Sequence, residues 1–381
     1  MNSLNEENEI PEVECVKTKN ENGKKKINGY TVLRTLGYGA FSKVKLVEKD
    51  GVKYAMKVID KMQLRKKKKG FSKDKNGKII VDSMLDDALR EIAILKKLNH
   101  PKIIRLFEII QNNEKEKMYL ILECCDNGTL MTMDELTGDF NINPNFKNHN
   151  NQYTEDEIRD FIRDIVIGLD YLHNNGIIHR DIKPDNILLN GLNNCKITDF
   201  NVSSMLENKE EDNIGKKIEG TDNFRAPECC QDSTETPDLK GKPLDIWALG
   251  ITAYILAYNT IPFKPKNEFD TMELFDLISK AEVVIPETRK MSDGFIDFLK
   301  RCLEKNPNRR ITTEEIKNLD WINVNRVHLS QIAKLDKISV TKEEVKDCIS
   351  FFATVAFAKK CANIWKKKAK TYYLAVHLII I

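Results

Sequence analysis

The stretch Ile178-His179-Arg180-Asp181-Ile182-Lys183-Pro184-Asp185-Asn186, then Thr198-Asp199-Phe200, then Ala226-Pro227-Glu228, constrains this chain more than any other feature. In that order it supplies a carboxylate able to accept a proton, an amine two residues later, and an amide and a second carboxylate with hard oxygen donors. A lone His-Arg-Asp occurs by chance in many loops. The complete ordered set requires a fold that returns distant segments to one place.

A chain of 381 residues accommodates one large domain or two smaller ones with real cores. A net charge of +3 leaves no global footprint for nucleic acid, so no nucleic-acid partner is expected. Positive charge is local, at Arg65-Lys66-Lys67-Lys68-Lys69 and Lys366-Lys367-Lys368. The nine cysteines form no CxxC pair, which argues against a zinc site. The N-terminus, MNSLNEENEI, lacks the apolar core of a signal peptide. A cytoplasmic protein with reduced thiols is expected. The long apolar run from Tyr372 to Ile381 is about half of what a membrane-spanning helix needs.

Residues 1–27 are polar and rich in Lys, Glu and Asn, and are expected to form a disordered tail. Tyr30 to Val47 alternates in a strand-like way around a glycine turn, and Val52 to Ile59 reads as a further strand. Met84 to Leu98 has helical spacing, with Leu89, Ile92, Ile94 and Leu95 apolar, and Met118 to Glu123 is a short buried strand. The expected class is α+β in two lobes. Residues 28–123 make a small antiparallel-sheet lobe with one helix. Residues 124–322 make a larger, mainly helical lobe containing an amphipathic helix from Glu155 to Asn174. Two insertions interrupt this plan, at 62–83 and 132–153. The second carries Asn141, Asn143, Asn145, Asn148, Asn150 and Asn151 and is expected to lie on the surface without a core. A tail of changed character, 323–381, contains a basic amphipathic helix at about 345–370.

Leu36-Gly37-Tyr38-Gly39-Ala40-Phe41-Ser42-Lys43-Val44 is a glycine-rich turn. Absent side chains at Gly37 and Gly39 let backbone N–H groups approach a polyphosphate. An ordinary hairpin is the alternative for this motif taken alone. Lys57, in Tyr54-Ala55-Met56-Lys57, either snorkels to the surface or is paired. Glu91, in Leu89-Arg90-Glu91-Ile92, is its expected partner, since both charges need pairing once desolvated.

Together these motifs resemble the eukaryotic protein kinases over about Tyr30 to Ile322. The resemblance implies the two-lobed kinase fold, ATP and Mg2+ as cofactors, and transfer of the γ-phosphoryl group to a hydroxyl of a protein substrate. It makes Asp181 the catalytic base, aims Lys183 at the transferring phosphate, and makes Asn186 and Asp199 the metal ligands. The implied ATP-binding positions are Leu36, Gly37, Tyr38, Gly39, Ala40, Phe41, Ser42, Val44, Ala55, Lys57, Glu91, Glu123, Cys125 and Leu188. Lysine two places after the aspartate, with Gly220-Thr221 ahead of Ala226-Pro227-Glu228, indicates serine or threonine as acceptor. The resemblance also links Arg180 to the activation segment, pairs Arg310 with Glu228, and makes Leu244 to Gly250 the buried helix that anchors the catalytic loop. Two positions depart from the pattern: Ser42 replaces the third glycine, and Asn201 stands where glycine follows Asp199-Phe200. Asparagine tolerates positive φ best among non-glycine residues, so the active geometry is expected to survive. A silent pseudokinase scaffold is the alternative these departures raise.

Tyr54 to Val58, Glu91 to Pro101 and Gly241 to Ala248 further resemble the calmodulin-dependent protein kinase kinase group. This resemblance implies a substrate that is itself a kinase, phosphorylated on its activation loop; a calmodulin-regulated kinase with other substrates is the alternative. In that group the insertion before the helix is rich in arginine and proline and engages the substrate. Here it is lysine-rich and proline-free from Lys61 to Asp87, so a solvated loop is an equal reading. Met205 to Gly220 contains no Ser, Thr or Tyr, so phosphorylation within it cannot be the on-switch. Glu207, Glu210, Glu211 and Asp212 either direct charge toward Arg180 or form a solvated acidic loop. In the tail, Phe351-Phe352 and Trp365 flank a basic stretch suited to calcium–calmodulin. Membrane-surface contact and permanent packing on the large lobe are its alternatives.

Overall fold

The computed structural model describes residues 10–332 except 20–22, 40–41, 74–78, 135–138, 147–150, 207–211, 213, 215–219, 231–238 and 268–269. The small lobe is built on ten strands: β1 (Glu12–Glu14), β2 (Lys17–Lys19), β3 (Lys25–Ile27), β4 (Tyr30–Tyr38), β5 (Ser42–Lys49), β6 (Val52–Asp60), β7 (Lys68–Lys73), β8 (Ile79–Ser83), β9 (Leu106–Asn112) and β10 (Lys117–Glu123). Eight of them form one sheet in the order β1-β9-β10-β6-β5-β4-β3-β2. Only β1 runs parallel to its neighbour.

Alternation along the strands gives this sheet two apolar faces. On β6, Ala55 and Ile59 face the helix of the lobe, while Tyr54, Met56 and Val58 face the other way. On β10, Met118, Leu120 and Leu122 face inward, and Tyr119 and Ile121 outward. Strands buried on both faces read as near-continuous apolar runs, as β10 does from Met118 to Leu122.

The second face explains a correction. Residues 1–27 are expected to be disordered, yet Glu12–Glu14 pairs with β9 and Lys17–Lys19 pairs with Lys25–Ile27. Val13, Cys15 and Ile27 pack with Tyr30, Val47, Met56, Tyr119 and Ile121 in a separate small core. Without this cover, the outer face would leave a contiguous apolar patch in water. The lobe therefore begins near residue 12 and not at 28.

Helix α1 (Lys61–Lys66) is capped by Asp60, whose carboxylate accepts from the Gln63 N–H at 3.1 Å. Helix α2 (Met84–Lys97) starts at Ser83, whose N–H donates to Asp86 Oδ2 at 2.9 Å. Its buried face carries Leu85, Leu89, Ile92, Leu95 and also Glu91. The insertion at 62–83 comprises α1 and the β7–β8 hairpin, not an unstructured loop.

In the large lobe, helix α3 (Glu155–Asn174) matches its expected bounds. Thr154 and Glu157 form a capping box at its start, and Ile158, Phe161, Ile162, Ile165, Leu169 and Leu172 bury one face. Helix α4 (Gly241–Tyr258) is apolar on all sides and buried along nearly its whole length. It ends at Asn259 in the left-handed region, φ 54°.

The insertion at 132–153 is a second correction. Met131–Met133 pairs with Phe140–Ile142, and Phe140, Ile142 and Tyr153 are buried in the main core. Buried Asn143 donates to the Thr129 carbonyl at 2.6 Å. Apolar residues spaced between the asparagines supply the core that asparagine content alone conceals. Of the tail, Leu329 is buried, and Arg326 pairs with Asp160 at 2.7 Å. The amphipathic helix at 345–370 lies outside the described residues.

Candidate active site

A cleft of about 800 Å³ separates the lobes. Leu36, Gly37, Tyr38, Gly39, Ser42, Val44, Ala55, Lys57, Glu91, Glu123, Cys125 and Leu188 line it, together with Asn186 and Asp199. Ala40 and Phe41 lie outside the described residues. The glycine turn joins β4 to β5 above the cleft, and irregular pairing of Thr35 and Gly37 with β5 accentuates the local twist.

Lys57 projects from β6 toward α2, and its Nζ lies 2.7 Å from Glu91 Oε1. Glu91 is only 2% exposed. Burial by itself would lower the Lys57 pKa; the charges of Glu91 and then Asp199 outweigh it and push the pKa up, so the amine stays cationic. Asp199 Oδ1 is 3.9 Å from the same Nζ. Among its described residues the cleft therefore holds one fixed cation beside a carboxylate on its floor.

Below, the loop from Ile178 to Asn186 is held by a dense network. Lys183 Nζ lies 2.8 Å from Asp181 Oδ2 and donates to Thr221 Oγ1 at 2.7 Å, while Thr221 Oγ1 donates to Asp181 Oδ1 at 2.8 Å. Burial would raise the Asp181 carboxyl. The Lys183 charge and hydrogen bond, followed by the Thr221 hydrogen bond, hold it below the usual carboxylate range. Asn186 Nδ2 donates to the Asp181 carbonyl and to Asp181 Oδ2, both at 2.8 Å. That spends the amide nitrogen and leaves the Asn186 side-chain oxygen as an acceptor in the cleft. Gly220, at φ +104°, carries the chain past Arg180; a Cβ there would meet the Arg180 carbonyl oxygen at 2.6 Å.

The loop is anchored from beneath by Asp245 of α4, which is fully buried. Its Oδ2 accepts from the His179 N–H at 2.9 Å and lies 2.8 Å from His173 Nε2, and its Oδ1 accepts from the Arg180 N–H at 2.7 Å. Burial opposes ionisation, but the hydrogen bond and charge of His173, with the His179 charge and the Arg180 N–H, hold its pKa down. The helix anchors the loop as the resemblance implies, and Asp245 is the side chain that does so. The available signal is a carboxylate inside an otherwise apolar helix, which must find donors. Arg310 meets Glu228 in a two-pronged pair at 2.7 and 2.9 Å, as expected.

Two expectations change. Asn201 does not occupy the left-handed region; Asp199 does, with φ 65°. The Asn201 amide instead donates to Asp199 Oδ1. Asp212 does not aim at Arg180. Its carboxylate accepts from the Lys242 N–H at 3.0 Å, at the start of α4, where the helix dipole favours negative charge. Glu207, Glu210 and Glu211 lie outside the described residues.

The donor set fits a hard divalent ion held partly by phosphate. Among the described residues no group of three or more His, Cys, Asp or Glu could cage a metal alone. An amide oxygen and a carboxylate facing the cleft leave the remaining positions for phosphate oxygens and water, the habit of magnesium.

Comparison with known sequences agrees with this geometry. The protein kinase domain family matches residues 30–322. The chain is 34% identical to a "Probable serine/threonine-protein kinase" of Dictyostelium discoideum over 89% of its length, and 36% identical to the serine/threonine-protein kinase ssp1 of Schizosaccharomyces pombe over 84%. It is 31% identical to the calcium/calmodulin-dependent protein kinase kinase of Caenorhabditis elegans over 85% of its length. The matches cover 44%, 46% and 58% of these relatives respectively, so the chain spans about half their length.

Proposed function

This chain belongs to the protein kinase family, and we propose that it is an ATP- and magnesium-dependent serine/threonine kinase that acts on another kinase. The observation that carries the catalytic reading is the convergence of Lys57, Glu91, Asp181, Lys183, Asn186 and Asp199 on one cleft and its mouth. Lys57, fixed by Glu91, steadies the nucleotide's α- and β-phosphates. Asn186 and Asp199 hold magnesium, which when bound neutralises charge on the phosphate oxygens. Asp181 receives or orients the acceptor hydroxyl proton, and Lys183 neutralises charge on the phosphoryl group in transit. Thr221 braces both, which suits a hydroxyl acceptor presented beside the loop.

The test is phosphate transfer from labelled ATP to a serine/threonine protein substrate. Asp181→Ala lowers kcat by about 10²–10⁴-fold with the fold intact. A wild-type chain with no transfer, or an Asp181→Ala variant of equal rate, leaves the scaffold reading in its place.

The kinase-directed reading is supported by the name of the nematode relative and by the hydroxyl-free stretch from Met205 to Gly220. Protein purified without upstream kinases is expected to phosphorylate an activation-loop substrate; strict dependence on prior phosphorylation counts against it. Calcium–calmodulin is the proposed regulatory partner, through Ser350 to Tyr373. Calcium-dependent retention of that peptide on calmodulin, against its binding to liposomes, decides between partner and membrane.

A further inference from the structure

We propose that the outer side of the small lobe carries a second anion site, for a multivalent phosphate group such as pyrophosphate or a phosphorylated inositol. A cavity of about 320 Å³ opens there, with Lys25, Lys43, Lys45 and Lys117 around a floor that includes Ile27 and Tyr119. A fifth ammonium, that of Lys17, lies 5.9 Å from the centroid of the Tyr119 ring.

Compensating acid is scarce. Among the described residues, Asp60 is the one carboxylate in the lining. Its Oδ2 is 3.8 Å from Lys117 Nζ, and its Oδ1 is already engaged by the Gln63 N–H at 3.1 Å. Among the described residues Lys43 donates to the Tyr38 hydroxyl at 3.0 Å and to no carboxylate. Neither Lys25 nor Lys45 has a carboxylate partner among the described residues. Burial, and then the charges of Lys45, Lys17 and Lys117, lower the Lys25 pKa, as expected of like charges gathered without a counterion. Lysine presents a compact charge with rotatable donors, which suits the many-sided oxygens of phosphate and does not require the planar fork of a carboxylate.

The site lies back to back with the nucleotide cleft. On β5, Val44 lines the cleft while Lys43 and Lys45 line the outer cavity; on β6, Lys57 and Ile59 face inward while Val58 and Asp60 face outward. Gly39 and Ser42, at the end of the glycine turn, border both. An anion bridging β3, β5 and β10 restrains the strand that roofs the cleft. The anion site itself does not depend on the kinase reading, and loss of phosphotransfer leaves it standing.

Calorimetric titration of the full chain tests it, with the cleft saturated by magnesium and a non-hydrolysable ATP analogue. The soluble probe is inositol hexakisphosphate. The membrane arm uses phosphatidylcholine vesicles with and without phosphatidylinositol bisphosphate, which tells a free ligand from a lipid headgroup. The combined variant Lys25→Gln, Lys45→Gln and Lys117→Gln weakens binding at least about tenfold, and salt weakens the wild type. Lys45→Gln alone weakens it in the same direction by less, which keeps the test decisive if the combined variant misfolds. A control with Lys280→Gln, Lys290→Gln and Lys300→Gln on the large lobe stays within about twofold of wild type. Equal weakening by the control, no binding at all, or tighter binding of a polyglutamate peptide than of the phosphate probe overturns the proposal.

Discussion

The loop carrying Asp181 and the amine of Lys57 sit on opposite walls of one cleft and are secured in opposite ways. The loop is over-determined: Asp245, His173, Asn186 and Thr221 all hold it, and Asp245 lies deep in α4. Lys57 depends chiefly on one carboxylate, Glu91, carried by α2 of the same small lobe. The difference teaches where control belongs. A carboxylate fixed by many bonds is a constant of the fold, whereas a cation fixed by one ion pair is released by the loss of that single contact.

The largest effect tests the fixed wall. Asp245→Ala is expected to cost about 3–5 kcal/mol in denaturant unfolding, because it strands buried donors and a histidine. A variant of wild-type stability would remove the claimed asymmetry. Next, Glu91→Gln is expected to lower kcat/KM for ATP about 10–100-fold while costing only about 1–3 kcal/mol of stability. If both variants lose stability equally, the walls do not differ.

A pH profile sharpens the boundary between the lobes. His100 stacks on Tyr171 at 4.4 Å, and burial, with Lys102 and Lys196 nearby, lowers its pKa to about 4 from 6.5. The unfolded chain therefore binds the proton more readily between those values. This group's contribution is complete above about pH 6.5 and declines as pH falls toward 4, by about 2 kcal/mol. His100→Asn should flatten that limb in thermal melts; a flat wild-type profile contradicts the assignment. The smallest effect is that of Asn201→Gly, which frees one oxygen of Asp199 and should change kcat by no more than about threefold, with a shift in magnesium dependence. A tenfold or greater loss would mean that the Asn201 amide sets the metal ligand's position.

The chemistry was readable because its residues keep fixed spacing and carry distinctive groups. Lys57 and Glu91 fall on a strand and a helix whose apolar periods are clear, and each turns its charge into the same interior. The pairing of Arg310 with Glu228 was legible only through the motifs that carry the family resemblance. The strands at Glu12–Glu14 and Lys17–Lys19 were not, because short polar edge strands have no period of their own. Their signal sits elsewhere, in the two-sided apolarity of β6 and β10. Nor could spacing reveal that Asp199, and not Asn201, takes the left-handed backbone.

By itself the sequence determined the two-lobed class, the order of the chemical groups and the helices bearing them, since periodicity and motif spacing are local properties of the chain. Only the tertiary structure decided that the N-terminal strands cover an apolar face, which donors Asp245 meets, and that lysines from separate strands surround one cavity. Those facts depend on through-space meetings between distant segments, driven by burial and by the need of each buried charge for a partner, and no local pattern records them.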